Sequence, residues 1–511
     1  MARTDLSPRT FVSAALYILA AALLLRFYDL PLKPLHHDEG VNTVFVSTLL
    51  RAPDSYRYNP TNFHGATLFY AAWLSTFVFG TTTLALRVVT AVAGFATVVL
   101  LLTTRQRIGS AGALTAAALL ALSPGAVYFS RYFIHESLLV LFTAAAALAV
   151  VVRLDSGRRM AVLVAAAAAA LMFATKETAI ISAGVMVIAA AATAALLEWR
   201  AAGRAVRPAV TRLAGRITRV RLTKDQWQRG LLTAVVATVV FLVVALVFFT
   251  SFFTNPDGAI DALRTFAFWT RTGTSDHTHA WSTYLRWLAD EELPVLVLGS
   301  VGAALAIWRS EDRLAIFAAL WGIGTIAAYS LIPYKTPWLT LNMIVPLALA
   351  AGYAGQWIWE HTPAPSTRKL ALAAAVVLAF SGYQAVVLNF VHYDDNRYPY
   401  VYAHTDREVL GLVEHVRRLK AANPAMTIAV TSREHFPLSW YLRDQRAGYY
   451  GKVAATNDPL VIGSEDQQIV LDLLIGNRYA KVGTYRLRPG VRLVLYAHTD
   501  LKGVDPGSSA P

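Results

Sequence analysis

The sequence contains no cysteine. Disulfide bonds, thiolate metal sites and cysteine nucleophiles are therefore excluded. Charged residues are also few, at 15%, whereas 56% of the 511 residues are hydrophobic and the mean hydropathy is +0.46. This balance is typical of a protein that crosses a membrane several times, and it argues against a large soluble enzyme.

Other common signatures are missing as well. The sequence has no HExxH zinc motif. Its C-terminal part has no Gly-rich phosphate loop, which argues against a nucleotide-binding role. The first apolar run, residues 11–25, is followed by Arg26, Tyr28 and Asp29 rather than by a small-residue cleavage site. We therefore expect this run to remain as a membrane anchor.

Apolar stretches recur along most of the chain. A hydropathy window of about 19 residues predicts eleven spans, at residues 11–27, 84–103, 111–128, 137–152, 160–174, 178–197, 231–250, 293–308, 314–331, 338–357 and 369–388. A shorter stretch, residues 66–79, falls below the roughly 20 residues that a span needs, and we interpret it as an interfacial helix. Residues 1–390 are therefore predicted to form a membrane domain.

Basic residues indicate the orientation of these spans, because lysine and arginine collect in cytoplasmic loops. The segment 198–230 contains nine basic residues against two acidic ones. Placing this segment and the other basic loops inside puts the N-terminus in the cytoplasm and the C-terminus outside the plasma membrane. The net charge of +14 is then mostly a signal of topology, and no nucleic-acid partner is expected.

The same orientation places the unusual polar clusters on the outer face. They are LHHDEGVN at residues 35–42, SRYFIHES at 130–137, FATKETA at 173–179, the long loop 251–292 and IPYKTPWLTLN at 332–342. Ionisable groups at the mouths of membrane helices are costly to desolvate and usually mark a substrate or ion path. We therefore expect a pocket at the outer leaflet.

The charges in these clusters suit a group-transfer reaction. The carboxylates of Asp38, Glu39 and Glu136 can provide a general base for a hydroxyl or amine acceptor. Cations on the same face can stabilise the developing negative charge of a phosphate leaving group. The candidate cations are Arg131, Lys176 and Lys335. Together these residues predict a glycosyl-transfer site that needs no nucleotide sugar.

Six segments occur in a fixed order: HHDEG, RYNPTNFHGATLFY, LALRVVTAVAG, SRYFIHE, FATKE and YKTPWLTLN. Together they resemble the membrane glycosyltransferases of the GT-C superfamily, which includes protein O-mannosyltransferases and aminoarabinose transferases. Within that superfamily the sequence is most similar to the flippase-activity-associated proteins of archaea and some bacteria. The resemblance covers roughly residues 10–390 and weakens beyond them.

The resemblance implies a catalytic acid at Asp38, with Glu39 beside it, and a second acid at Glu136. It also implies a polyprenyl-phosphate-linked sugar as the donor and membrane lipid as a partner. The substrate-binding residues carried over on the matching motifs are His64, Arg131, Lys176, Glu177, Lys335 and Trp338. The second loop has HE where oligosaccharyltransferases have two acids. The motifs therefore do not require a divalent cation, although they are compatible with one, and no metal ligand or cofactor is assigned.

Simpler roles are open for several of these residues. Asp38 and Glu39 can cap the helix that follows them, because acidic residues stabilise a helix N-terminus. His36 and His37 can bind a metal, although a solvated pair at the helix mouth is the simpler interpretation.

Two further clusters have simple alternatives. Lys176 and Glu177 can pair with each other. The long loop 251–292 contains His277 and His279 with three tryptophans, which are either interfacial aromatics or a sugar platform.

Beyond a linker at residues 391–404, the chain changes character over residues 405–501. EVLGLVEHVRRLKAA has helical spacing, and the strand-like runs MTIAVTS, DPLVIGS and VRLVLYA alternate with the helical runs PLSWYLRD and EDQQIVLDLLI. This alternation predicts a small extracytoplasmic α/β domain that either binds the acceptor or caps the structure. Residues 502–511 are expected to form a flexible tail.

These observations predict a GT-C glycosyltransferase that moves a sugar from a polyprenyl-phosphate carrier to an unidentified protein, lipid or glycan acceptor at the outer face of the membrane. Asp38 is the expected base, supported by Glu39 and Glu136, and Lys335 and Arg131 are the expected phosphate partners. Two other roles remain open. A flippase or transport component would bind the same lipid through the cations but would need no base, and a scaffold of a glycan-assembly complex would need neither.

Overall fold

A computed structural model describes residues 5–205, 212, 223–270 and 278–503. His277, much of the basic segment 198–230 and the last eight residues of the predicted tail lie outside these described residues.

The chain divides into two compact units. The first consists of Met1–Tyr28 and Asp54–Val391, and the second of Asp29–Pro53 and His392–Pro511. The second unit thus includes Asp29–Pro53, which the sequence-based division placed within the membrane domain. The HHDEG segment therefore belongs to the same unit as the C-terminal domain.

Helices form most of the described chain. They are α1 Pro8–Phe27, α2 His37–Arg51, α3 Thr67–Phe79, α4 Thr83–Leu102, α5 Arg105–Ile108, α6 Ser110–Leu122, α7 Pro124–Ser130, α8 Glu136–Ser156, α9 Arg159–Thr175, α10 Ala179–Ala201, α11 Lys224–Phe249, α12 Gly258–Trp269, α13 Thr283–Glu291, α14 Leu293–Arg309, α15 Arg313–Leu331, α16 Leu341–His361, α17 Thr367–Val386, α18 Glu408–Ala422, α19 Leu438–Tyr441 and α20 Gln468–Ile475. Except for α2 and α18 to α20, they belong to the first unit.

The first unit has the helices of a multi-pass membrane protein. Within the described residues, 8 helices are long and apolar enough to span a bilayer, or up to 10 if each of two bent pairs counts as one span. The bent pairs are α6 with α7, at 60°, and α13 with α14, at 114°. The remaining predicted span corresponds to α9, which has only 17 residues, so the count of eleven is not confirmed. Residues 66–79 contain α3, a helix of 13 residues.

Small residues allow these helices to approach closely. A Cβ atom added at Gly302 of α14 would lie 1.8 Å from the carbonyl oxygen of Ala350 in α16. Gly112 of α6 and Gly352 of α16 approach each other in the same way, since a Cβ atom at either would lie within 2.9 Å of the other's carbonyl oxygen. The segment that contains α16 is accordingly the most buried of the candidate spans among the described residues.

The second unit contains a five-stranded mixed sheet. Its strands are β1 Ile428–Val430, β2 Ala447–Tyr449, β3 Leu460–Ser464, β4 Tyr479–Arg488 and β5 Val491–His498, in the order β2-β1-β3-β5-β4. β1 is parallel to both β2 and β3. β5 is antiparallel to both β3 and β4.

Helices cover both faces of this sheet. Successive strand residues point to opposite faces, and the residues of each face pack against a different helix. Ile428 and Val430 belong to a buried cluster with Leu412 of α18. Ala429, between them, belongs to a second cluster with Leu471 of α20. The predicted small α/β domain is therefore confirmed, and its two apolar layers explain how so short a segment buries a core.

Candidate functional site

The HHDEG segment forms the start of α2. His36 is the N-cap residue, and its ring Nδ1 accepts a hydrogen bond from the Asp38 N–H at 3.1 Å. Glu39 reaches back, and its Oε2 accepts a hydrogen bond from the His36 backbone N–H at 2.8 Å. This reciprocal pair is a capping box. Glu39 is fully buried and therefore acts in this structure as the capping carboxylate of the helix.

Asp38, its neighbour, has a different environment. Its side chain is 41% exposed, and a carboxylate oxygen lies 3.9 Å from Nδ1 of His36. Because Glu39 supplies the cap, the Asp38 carboxylate is the acid of this segment that solvent and small molecules can reach. The sequence had left both acids open as capping residues, and the structure separates their roles.

The interpretation of the two histidines as a solvated pair is wrong. His36 is 3% exposed, and its ring stacks on that of His404 at a centroid distance of 5.7 Å. His37 packs edge-on against the ring of Phe436 at 5.5 Å. Burial, with the positive charge of Arg488 added to it, lowers the pKa of His37 to about 4. His37 is therefore neutral at pH 7.

A buried charged cluster lies in the first unit, at the loops that connect its helices. Nζ of Lys176 donates a hydrogen bond to Oε1 of Glu136, the first residue of α8. Nδ1 of His64 lies 2.9 Å from Oε2 of Glu177. The ion-pair partners of Lys176 and Glu177 are thus Glu136 and His64 rather than each other. The structure brings together these four residues, all of which the sequence had selected.

Backbone contacts join the two loops that carry this cluster. The N–H of Gly65 donates to the carbonyl oxygen of Thr175 at 3.0 Å, and Oγ1 of Thr67 donates to that of Ala174 at 2.8 Å. A Cβ atom added at Gly65 would lie 1.8 Å from the Ala174 oxygen, so this approach requires glycine. The FHGAT and FATKE motifs are therefore one packed structure.

His135 belongs to the same cluster, although sequence reasoning did not select it. Its ring lies 4.7 Å from that of His64, and its Nε2 lies 3.2 Å from the carbonyl oxygen of Gly65. Burial, then the charges of His64 and Lys176, hold its pKa well below the usual value. Its place next to Glu136 in the SRYFIHE motif was the signal that could have identified it.

The charges of the cluster persist despite burial. Burial disfavours the ammonium group of Lys176, but Glu136 and Glu177 outweigh this cost and raise its pKa. Burial also disfavours the carboxylate of Glu177, but His64 and Lys176 outweigh it and lower its pKa. Lys176 and Glu177 therefore both keep their charges at neutral pH.

Two predicted phosphate partners, Lys335 and Arg131, cap helix C-termini. Nζ of Lys335 donates to three carbonyl oxygens at the end of α15, at 2.5–3.1 Å. Nη1 of Arg131 donates to three carbonyl oxygens at the end of α1, at 2.5–3.4 Å. Cations are favoured there because the final carbonyls have no partner within the helix. Phosphate binding by either residue stays a prediction.

The YKTPWLTLN segment leads from this cap into α16. Trp338 lies half-buried in the single turn Pro337–Thr340 that precedes the helix. The N–H of His279 donates to the carbonyl oxygen of Pro333 at 3.1 Å, and its ring lies 5.6 Å from that of Trp287. This part of the long loop 251–292 is therefore packed against the segment.

No group of three or more His, Asp or Glu side chains is arranged to hold a metal ion in the described part of the chain. The role of a divalent cation in the reaction stays a prediction.

One part of the chain matches a known family. Residues 64–214 match the family of dolichyl-phosphate-mannose-protein mannosyltransferases. The matched range contains the whole cluster of His64, Glu136, Lys176 and Glu177. A comparison with curated proteins finds no match.

Solved structures share the fold over nearly the whole chain. ArnT from Cupriavidus metallidurans bound to undecaprenyl phosphate matches with a TM-score of 0.70 and 16% sequence identity, over 98% of this chain and 100% of that one. ArnT from the same organism in the apo state matches with a TM-score of 0.67 and 15% identity, over 97% and 99%. The likeness thus continues past residue 390, where the resemblance in sequence weakens.

The solved structures confirm the predicted fold over nearly the whole chain. The more specific resemblance to flippase-activity-associated proteins stays a prediction.

Proposed function

We propose that this GT-C protein transfers a sugar from a polyprenyl-phosphate-linked donor to an acceptor at the outer face of the plasma membrane. The observation that carries the proposal is the match, over 98% of the chain, to an ArnT structure bound to undecaprenyl phosphate. The match of residues 64–214 to a mannosyltransferase family supports the same reaction class. The N-terminus is then cytoplasmic and the second unit extracytoplasmic, as the basic loops favour.

In the proposed reaction Asp38 is the general base. Its carboxylate takes the proton of the acceptor hydroxyl or amine, whose heteroatom then attacks the anomeric carbon of the donor sugar. The bond from that carbon to the phosphate oxygen breaks, and polyprenyl phosphate leaves. Support for this role comes from the exposure of Asp38, whose side chain is 41% accessible while that of Glu39 is committed to the helix cap.

Lys335 is the proposed phosphate partner. Its ammonium group donates to three neutral carbonyl oxygens, and none of its hydrogen-bond partners among the described residues is a carboxylate. Burial lowers the pKa of the Lys335 ammonium group. Lys176, by contrast, is already paired with Glu136. A phosphate that develops negative charge in the transition state is therefore better stabilised by Lys335.

We assign the cluster of His64, Glu136, Lys176 and Glu177 a supporting role. Its ion pair and hydrogen bonds fix the loops between the helices, so that the substrate meets a rigid surface. Preorganised charge of this kind costs little reorganisation during the reaction.

The test is a transfer assay with the purified full-length protein in liposomes. Radiolabelled polyprenyl-phosphate sugars are supplied with a cell-envelope extract, and transfer to the extract is compared for wild type and Asp38→Asn. The control variant is Asp444→Asn, which alters an aspartate of the same unit whose side chain is 77% exposed. Movement of the labelled lipid between leaflets is measured in the same liposomes.

A transferase gives labelled acceptor with wild type and Asp444→Asn, and none with Asp38→Asn. A flippase instead moves the labelled lipid with all three proteins and yields no labelled acceptor. If none of the three proteins transfers the sugar or moves the lipid, the scaffold role is favoured.

A further inference from the structure

The second unit contains a polar cleft that the proposed reaction does not use. Its volume is about 730 Å³. The lining residues come from four segments, each at the same edge of the sheet: Ser432 to Glu434 after β1, Gly451 to Val453 after β2, Ser464 to Gln467 after β3, and Gly490 to Arg492 at the start of β5.

The position of the cleft is that of ligand sites in open α/β sheets. β1, β2 and β3 are parallel, so their carboxyl ends meet at one edge. From β1 the chain passes to β2 on one side, whereas from β3 it passes through α20 to β4 on the other side. Neighbouring strands whose connections diverge leave a crevice at their carboxyl ends, and ligands bind there.

The lining is suited to a polar and negatively charged molecule. Arg433 and Lys452 are exposed at the rim, and Arg433 contacts the chain through a 3.3 Å hydrogen bond to the carbonyl oxygen of Gly451. Ser432 and Ser464, both buried, also line the cleft. The Ser432 hydroxyl donates to the carbonyl oxygen of Glu434 at 3.1 Å, and the Ser464 hydroxyl accepts a backbone hydrogen bond, so the first can still accept and the second can still donate. None of the lining residues is aromatic, so the cleft offers no platform on which a nucleobase could stack.

The lining also contains a third cation, Arg492, and three acidic residues, Glu434, Glu465 and Asp466. Glu434 pairs with Arg488 at 3.4 Å, and Glu465 lies 3.9 Å from Arg492. The third acid, Asp466, is exposed. Two of the three acids thus pair with Arg488 and Arg492, and Arg433 and Lys452 are the lining cations that form no ion pair among the described residues.

We propose that this cleft binds a saccharide that carries a phosphate or carboxylate group. Arg433 and Lys452 would bind the anionic group, and the serine hydroxyls with Gln467 would bind the sugar hydroxyls. The identity of the ligand rests on the proposed function. Given that function, the ligand is the saccharide part of the acceptor. The α/β domain then selects an anionic glycan for transfer.

Binding is tested by equilibrium dialysis of the full-length protein against radiolabelled glucose 6-phosphate, with unlabelled glucose and inorganic phosphate as competitors. We expect the double variant R433A/K452A to lose at least tenfold in affinity. The control is R417A/R418A, which removes the same charge from exposed positions on α18. It should bind like wild type. Glucose should compete weakly, since it lacks the anion.

Equal binding by R433A/K452A and wild type would overturn the site. Competition by inorganic phosphate as strong as by glucose 6-phosphate would overturn the saccharide assignment and leave a simple anion site. Asp38→Asn should still bind glucose 6-phosphate, because the cleft does not contain Asp38. A failure of the transfer chemistry is thereby distinguished from a failure of the cleft.

The acceptor role has its own readout. In the transfer assay R433A/K452A should raise the KM for the envelope acceptor at least tenfold and leave kcat within about twofold. An unchanged KM, together with lost glucose 6-phosphate binding, would contradict the acceptor role.

Discussion

Asp38 and Glu39 are adjacent carboxylates with different roles in the structure. Glu39 is buried and bonded to the backbone of the N-cap residue His36, whereas Asp38 has 41% of its side chain exposed. The difference arises from the helix geometry, since the N3 side chain of a capping box points back to the N-cap and the N2 side chain does not. Their substitution should therefore affect different properties.

Replacement of Glu39 by alanine should lower the thermal stability of the substrate-free protein. The variant leaves the His36 N–H buried without its acceptor, at a cost of about 1–3 kcal/mol. Asp38→Ala should leave stability close to that of wild type. Thermal unfolding of both variants in detergent is the measurement, and equal losses by the two variants would contradict the assigned cap.

His37 should make the second unit sensitive to acid. Its pKa is about 4 in the folded protein, against a usual value of 6.5. Between these values the unfolded chain binds a proton that the folded chain does not, so stability falls as the pH drops from about 6.5 to about 4 and is fully present above that window.

Unfolding measured across this pH window should show a flatter profile for His37→Asn than for wild type. His36 has a lowered pKa as well, so some dependence will remain. His361→Asn, which changes an exposed histidine of α16, is the control and should keep the wild-type slope. An identical slope for His37→Asn and wild type would be evidence against a neutral, half-buried His37.

The sequence could identify the HHDEG segment because charged residues beside a long apolar run are conspicuous. It could not separate Asp38 from Glu39, since the separation depends on the backbone conformation at His36. The same limit applied to Lys176 and Glu177. Adjacent opposite charges favour a local pair, and only the packing of distant loops gives each residue another partner.

Among the helices, the recurring feature is a cation at a C-terminus, which is fully buried for Lys335, Arg131 and Arg26 and half-buried for Arg200. Besides Lys335 on α15 and Arg131 on α1, Arg26 donates to two carbonyl oxygens at the end of α6, at 2.9 and 3.0 Å. Arg200 does the same for carbonyl oxygens at and just beyond the end of α14. In the interior of a membrane protein no water can satisfy these carbonyls, so long cationic side chains take that role.

Lys335→Met should therefore destabilise the protein even in the absence of donor. The carbonyl oxygens at the end of α15 lose their partner, and the expected cost is about 1–3 kcal/mol. Lys369→Met, which alters an exposed lysine near the start of α17, should leave stability unchanged. If substrate-free Lys335→Met unfolds at the wild-type temperature, Lys335 has no structural role and contributes only through the donor.

Element prediction succeeded where the pattern was long and periodic. EVLGLVEHVRRLKAA forms α18. MTIAVTS and DPLVIGS contain β1 and β3, and VRLVLYA covers β5 except for its last residue. β2 and β4 were missed. β2 has three residues with a central Gly448, and β4 carries a register shift between Lys481 and Gly483, so neither shows regular alternation.

At the level of the entire chain, hydropathy gave the membrane class and the positions of the spans, because their apolar runs far exceed those of soluble helices. Residues 111–128 were predicted as one span, with no break. Pro124 begins a new helix there, and α6 and α7 meet at 60°. The inclusion of Asp29–Pro53 in the second unit could not be predicted from the sequence. It depends on contacts between segments that are far apart in the chain. For example, the Leu35 N–H donates a hydrogen bond to the Tyr441 hydroxyl at 2.8 Å.

The proposed orientation can be mapped directly because the chain has no cysteine of its own. Single cysteines placed at Asn457, exposed in the second unit, and at Ser156, exposed at the end of α8, should react differently with a membrane-impermeant maleimide. Intact cells should label Asn457→Cys, and Ser156→Cys should be labelled only after lysis. The reverse pattern would contradict an extracytoplasmic second unit.

The most direct test of the proposed chemistry is the single-turnover rate of sugar transfer by Asp38→Asn and Glu39→Gln, with donor saturating and folding verified by thermal unfolding. A positioned base contributes about 10²–10⁴-fold to the rate, so Asp38→Asn should lose at least 10²-fold. Glu39→Gln, which keeps an oxygen acceptor for the His36 N–H, should stay within about tenfold of wild type. Transfer by Asp38→Asn at the wild-type rate would contradict the assignment of the base and with it the proposed mechanism.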